Sequence, residues 1–183
     1  NAFFLILKLL SLYFLVVSLF SLCKRKMQKS STTQRRFAVL IAARNEESCI
    51  AGLIESLLAQ NYPSELFDIW ALPNNCTDHT ADAARHAGGK VLEMPTSIHS
   101  KGAALQYAAN TLLHGSRYYD AFCVFDADNE VDPAFLSEMN QALSRSAIVK
   151  SRILAKNRMQ AGISACYEIY FCTANHFLNR ARE

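Results

Sequence analysis

Apolar and polar positions fall in blocks along the chain. The first block, residues 3–23 (FFLILKLLSLYFLVVSLFSLC), is almost wholly apolar, with Lys8 as its only charge. As a helix it would reach about 31 Å, close to the thickness of a hydrocarbon core, with Lys8 near enough to one end to snorkel. Residues 24–36 are polar, basic and rich in Ser and Thr, as a linker is. Short apolar runs then alternate with stretches of three- and four-residue periodicity. Residues 36–43 (RFAVLIAA) form the kind of run that a strand buried on both faces produces. Cys49, Ile50, Leu53, Ile54, Leu57 and Leu58 predict a helix over 46–60, stopped by Pro63. A second strand over 67–72 precedes a helix over 78–86, which Thr77 or Asp78 can cap and Gly88-Gly89 ends. Residues 90–94 predict a third strand, 101–113 a helix ended near Gly115, and 121–125 a fourth strand. A helix over 132–143 carries Pro133 in its first turn, 147–153 is a candidate fifth strand, and 159–182 has the pattern of a long helix. Such alternation predicts an α/β fold with a mostly parallel sheet and helices on both faces.

Composition narrows the class. With 183 residues, 51% hydrophobic and 19% charged, the chain has room for one domain with a real core. It is neither a disordered tail, a collagen-like fibre nor a disulfide-knotted miniprotein. The formal charge of +3 hides a split: residues 1–36 hold seven Lys and Arg and no acid, so the remainder is net acidic. A nucleic-acid partner is therefore not expected, since such binders carry their positive charge on the folded domain. The basic cluster after the apolar block implies a single N-terminal membrane span with the following domain in the cytosol, and makes the membrane an expected partner. Six cysteines without a CxxC pair argue against a zinc site and for reduced thiols. The chain starts at Asn1 and stops at Glu183 inside a helical pattern, as a fragment would. The expected organisation is an anchor over 1–23, a basic linker over 24–36 and a domain over 37–183, incomplete at its C-terminal end.

Open parallel sheets bind ligands beyond the carboxyl ends of their strands, so the residues that follow strands one, two and four carry the most information. Strand four runs into Asp126-Ala127-Asp128. Two carboxylates flanking one small residue can approach a divalent cation together, and Mg²⁺ and Mn²⁺ favour such oxygen ligands. Asp is also a common turn residue. After strand one comes Ala43-Arg44-Asn45-Glu46-Glu47, where Asn45 suits a helix cap and the glutamates suit the helix dipole. Asn74, in the turn after strand two, and Lys101-Gly102, opening a helix, complete the set. A cation at Lys101 can face phosphate oxygens. No GxGxxG follows strand one, which argues against a dinucleotide-dependent oxidoreductase. An aspartyl phosphatase would share the paired acids but requires a phosphoenzyme. The five histidines show no metal-like spacing and receive no role.

Taken in order, LIAARNEE, NNCTDHTA, SKGAAL and VFDADNEVDPAFL resemble the donor-binding half of family 2 glycosyltransferases, membrane-associated synthase-like enzymes with the Rossmann-like GT-A fold. The resemblance covers about residues 37–145. It implies a metal-dependent, inverting transfer from a nucleotide-diphosphate sugar, with a UDP-sugar expected, to a hydroxyl acceptor on a polysaccharide, lipid or protein. By the same resemblance Ala43, Arg44, Glu46, Asn74, Lys101, Asp126 and Ala127 bind the nucleotide sugar, and Asp126 and Asp128 hold Mg²⁺ or Mn²⁺. Asn74 stands where the family usually has Asp. The family's acceptor-side acid motif is absent, so no residue is assigned as general base. The alternative expectation is a catalytically incomplete, membrane-tethered fragment that binds nucleotide or a partner without turnover.

Overall fold

The apolar run over residues 37–43 becomes the centre of the sheet. In the computed structural model, which describes residues 2–21, 33–154, 166 and 169–171, β1 (Phe37–Ala43) pairs in parallel with β2 (Phe67–Pro73) on one side and β4 (Ala121–Asp126) on the other. The short β3 (Lys90–Val91) continues beyond β2, giving the order β3-β2-β1-β4. Both faces of β1 are covered. Phe37, Val39, Ile41 and Ala43 pack on one side with residues of α2 (Ile50–Leu58), α3 (Thr80–His86) and α5 (Phe135–Ala142). Ala38 and Leu40 pack on the other side with Leu72 and with Ala108 and Leu112 of α4 (Lys101–Leu113). Burial on two faces is why this strand reads as a continuous apolar run rather than an alternating one.

The chain winds from β1 outward to β3, then returns to place β4 beside β1 on the opposite side. That reversal is a topological switch point, and the crevice it leaves opens at the carboxyl ends of β1, β2 and β4. In register, Ala43 lies beside Pro73 and Ala42 beside Asp126, so the turns after these strands emerge at one sheet edge.

The chain divides into two compact units, residues 30–149 and residues 1–29 with 150–183. The first holds the sheet. In the second, α1 (Ala2–Ser21) forms where the apolar block predicts a helix, with Phe3, Leu5 and Phe14 exposed. The expected single N-terminal membrane span, and the cytosolic placement built on it, is corrected here: no helix among the described residues is long and apolar enough to cross a membrane. Lys8 lies within α1, and the charge-free run after it, Leu9 to Ser21, reaches only roughly 20 Å as a helix, short of the ~30 Å of a hydrocarbon core.

The expected fifth strand over 147–153 does not form. Lys150, Ser151 and Arg152 interrupt its apolar residues, and Ile148 is left 90% exposed. The long helix expected over 159–182 falls largely outside the described residues, of which Cys166 and 169–171 are helical. The predicted helices over 46–60, 78–86 and 132–143 all form with later starts, and strand three is limited to Lys90–Val91.

Candidate functional site

Two turns meet at the end of the sheet and are tied together by side chains as well as by the backbone bond from Asn74 N–H to Ala43 C=O at 3.0 Å. Asn45, expected to cap the following helix, takes a left-handed conformation with φ of 57°. Its Oδ1 accepts instead from the backbone N–H of Thr77, 2.8 Å away in the turn after β2. Asn is among the residues that tolerate this conformation, which turns its side chain across to the neighbouring loop. Thr80, fully buried, completes the tie. Its Oγ1 accepts from Glu46 N–H at 2.9 Å and donates to Asp78 Oδ1 at 2.5 Å. That bond from the Thr80 hydroxyl is the main cause holding the Asp78 carboxyl below the usual carboxylate range. Glu47 closes the arrangement by accepting from His79 N–H at 3.1 Å.

These ties shape a cleft of about 290 Å³. Ala42, Ala43, Leu72 and Ala104 supply apolar wall, and Arg44, Glu46, Asn74, His99 and Lys101 supply the polar groups. Five of the residues singled out from sequence, Ala43, Arg44, Glu46, Asn74 and Lys101, thus line one cavity. His99, given no role by sequence spacing, lines it too. Only the signal that it lies two residues before Lys101 was available to find it.

Asp126 and Asp128 lie beside this wall rather than in it. Asp126 ends β4, and the following turn is closed by Asn129, whose N–H donates to Asp126 C=O at 3.1 Å and whose side chain amide donates to Asp128 Oδ1 at 3.3 Å. Ala127 turns its methyl into the core and is 2% exposed, while both flanking carboxylates face solvent. Lys101 connects the acids to the cleft. It is the first residue of α4, capped by Ser100 Oγ on Ala103 N–H, and its Nζ donates to Asp126 Oδ1. The site therefore has an open, largely apolar cleft with an exposed acidic edge, and one ammonium group spans the two.

Comparison with known proteins shows the family and the fold. The model of glycosyl transferase family 2 matches residues 38–181. The chain belongs to this family. A mannosyltransferase from Pyrobaculum calidifontis, solved in complex with GDP-Man and Mn²⁺, shares the fold with a TM-score of 0.63 at 19% identity, over 77% of this chain and 43% of that one. Glucosyl-3-phosphoglycerate synthase from Mycobacterium tuberculosis, solved with UDP, gives 0.50 at 20% identity, over 68% of this chain and 47% of that one. A beta-monoglucosyldiacylglycerol synthase from Nostoc sp. is 40% identical over 43 residues, 24% of this chain and 9% of its own length. The family-2 chain thus spans less than half the length of each of these proteins.

Proposed function

We propose that the chain is the donor-binding part of a glycosyltransferase that moves a sugar from a nucleoside-diphosphate sugar to a hydroxyl acceptor, with inversion at the anomeric carbon. The observation that carries this reading is Lys101, which lines the cleft while its ammonium group rests on Asp126. A nucleoside seated in the cleft would extend its diphosphate toward that group and the acidic turn beyond it. The apolar wall of Ala42, Ala43 and Leu72 would shield the nucleoside from water, and the backbone of Glu46 is fixed by the tie to Thr80. Lys101 supplies positive charge where the departing diphosphate gathers negative charge.

The donor set at the acidic turn fits a hard divalent cation. Asp126 already stabilises an ammonium group, and Asp128 lies two residues on, also exposed. Among the described residues no group of three or more His, Cys, Asp or Glu is placed to hold a metal ion. Two carboxylates would thus hold the ion and leave its other positions to diphosphate oxygens and water, as Mg²⁺ and Mn²⁺ prefer. A bound ion of this kind supplies Lewis-acid stabilisation of the leaving diphosphate. The general base and the acceptor, whether polysaccharide, lipid or protein, belong to a part of the reaction for which no residue here is assigned.

Calorimetry of the full chain with the four common nucleoside diphosphates, with and without Mn²⁺, tests the reading. At least one diphosphate should bind, more tightly with Mn²⁺, and Asp128→Ala should remove the Mn²⁺-dependent gain of about tenfold or more. Absence of binding by every diphosphate, or a gain that Asp128→Ala leaves intact, overturns it.

A further inference from the structure

Both carboxylates of the acidic turn are engaged by donors of the chain itself. Asp128 Oδ1 accepts from the side-chain amide of Asn129, and Asp126 Oδ1 accepts from Lys101 Nζ. The two contacts differ in what an arriving cation would meet. Asn129 is neutral, whereas Lys101 sets a full positive charge on a carboxylate that would ligate a divalent ion. The second oxygen of Asp126 does not relieve this, because an ion bound there stands roughly 4–5 Å from an ammonium group on the first, close enough to be repelled. The ion pair itself is easily exchanged. Its two side chains are 50% and 61% exposed, and a pair so open to water is worth little. Lys101 also lines the cleft, and its flexible four-carbon stem gives the ammonium group a second place to go.

We infer that Lys101 is a positioning residue that guards the acidic turn against a divalent cation until a nucleoside diphosphate draws its ammonium group away, so that metal and diphosphate bind as a coupled pair. This rests on the proposed donor-binding role and adds a coupling between the two ligands of that site. Without nucleotide, an ion held by the two carboxylates neutralises both and leaves the ammonium group as excess positive charge beside it. A diphosphate in the cleft supplies anionic oxygens that accept from the ammonium group and ligate the ion at the same time. Lys101 only changes acceptor, from Asp126 to a phosphate oxygen, and no covalent bond is made or broken. Such coupling is reciprocal: the diphosphate favours the ion by the same factor as the ion favours the diphosphate.

Titration of Mn²⁺ into the nucleotide-free full chain, followed by electron paramagnetic resonance, tests this on the wild type, Lys101→Met and Arg44→Met. Lys101→Met should tighten nucleotide-free Mn²⁺ binding by about fivefold or more. The same variant should weaken Mn²⁺-free binding of whichever of UDP, GDP, CDP and ADP the wild type takes. Calorimetry of that diphosphate with and without Mn²⁺, corrected for the complex the two form in free solution, should show their coupling fall by about the same factor. Arg44 lines the cleft but forms no ion pair with Asp126 or Asp128, so Arg44→Met should leave nucleotide-free Mn²⁺ binding as it is in the wild type. Nucleotide-free Mn²⁺ binding that Lys101→Met does not tighten, coupling that it leaves unchanged, or equal tightening by Arg44→Met overturns the inference and leaves the donor-binding role standing. Failure of every diphosphate to bind the wild type overturns both. If circular dichroism shows that Lys101→Met does not fold, Lys101→Gln takes its place under the same criteria.

Discussion

Thr80 shows how much a single residue carries at the cleft. Its hydroxyl serves two turns at once, and its burial denies either turn a water molecule in exchange. Thr80→Val keeps the volume but orphans Glu46 N–H and removes the hydroxyl bond to Asp78. The expected cost is about 1–2 kcal/mol in urea denaturation, with weaker nucleoside-diphosphate binding; unchanged stability would show that the tie is not formed. Asp68 carries a different burden at the opposite end of β2. It accepts from Lys90 Nζ at 2.8 Å and from Tyr119 Oη at 2.7 Å. Arg117 Nε lies 2.9 Å away as an ion pair, off the line of a good hydrogen bond. Burial by itself would raise the Asp68 pKa, but Lys90, Tyr119 and Arg117 outweigh it and hold the carboxyl below its ordinary value. A depressed folded pKa contributes stability that is complete above the unfolded value and is lost as pH falls through the folded one. Asp68→Asn should therefore cost about 2 kcal/mol at pH 7, and its deficit against wild type should narrow below about pH 4. Denaturation curves at the two pH values would show a constant deficit if the charge were unimportant. Neither residue stood out in the sequence, because a Thr at a helix start and an Asp near a strand end are ordinary there and only the fold brings their partners, 34 and 51 residues away, into reach.

Among the elements, the strands and helices of the sheet unit were legible because their apolar periodicity reflects real burial. Starts were less legible. Glu46–Cys49 and Thr77–His79 look helical from composition, yet their polar groups bond across to the other turn before either helix begins. The candidate strand over 147–153 failed for the opposite reason, since Lys150, Ser151 and Arg152 break its apolar pattern and it stays outside the sheet. Strand β4 offers a check on pairing. Its Cys123 packs against the core, and burial pushes the thiol up to about 12. In site-resolved alkylation at neutral pH, Cys123 should stay unmodified while exposed Cys49 reacts, and equal rates would place β4 outside the sheet. The end of α3 offers another. Gly88 holds φ of 94°, where a side chain is strained, and the Leu58 side chain lies 3.2 Å from where a Cβ would sit. Gly88→Ala should lower stability by about 1 kcal/mol or more in thermal melts. A neutral effect would mean that α3 ends in some other way.

At the scale of the molecule, the winding order explains why residues far apart in sequence share a site. Strand-one, strand-two and strand-four turns converge because the chain reverses direction between β3 and β4, and α4 brings Lys101 to the same edge. The motifs were readable in sequence, and the fold-level alternation predicted the edge on which they lie. Two matters were not readable. His99 enters the cleft only through the path of the irregular segment before α4, and the membrane span rested on a length of apolar sequence that the helix, divided by Lys8, does not provide. The central claim is that the acidic turn after β4 and the cleft of Lys101 form one metal–nucleotide site. Electron paramagnetic resonance of Mn²⁺ tests it most directly. With the full chain and a nucleoside diphosphate that binds it, the free-ion signal should fall beyond the level the nucleotide alone produces, with phosphorus coupling to the bound ion. Asp126→Ala with Asp128→Ala should restore the nucleotide-only level. A bound-ion signal that survives the loss of both carboxylates would contradict the account.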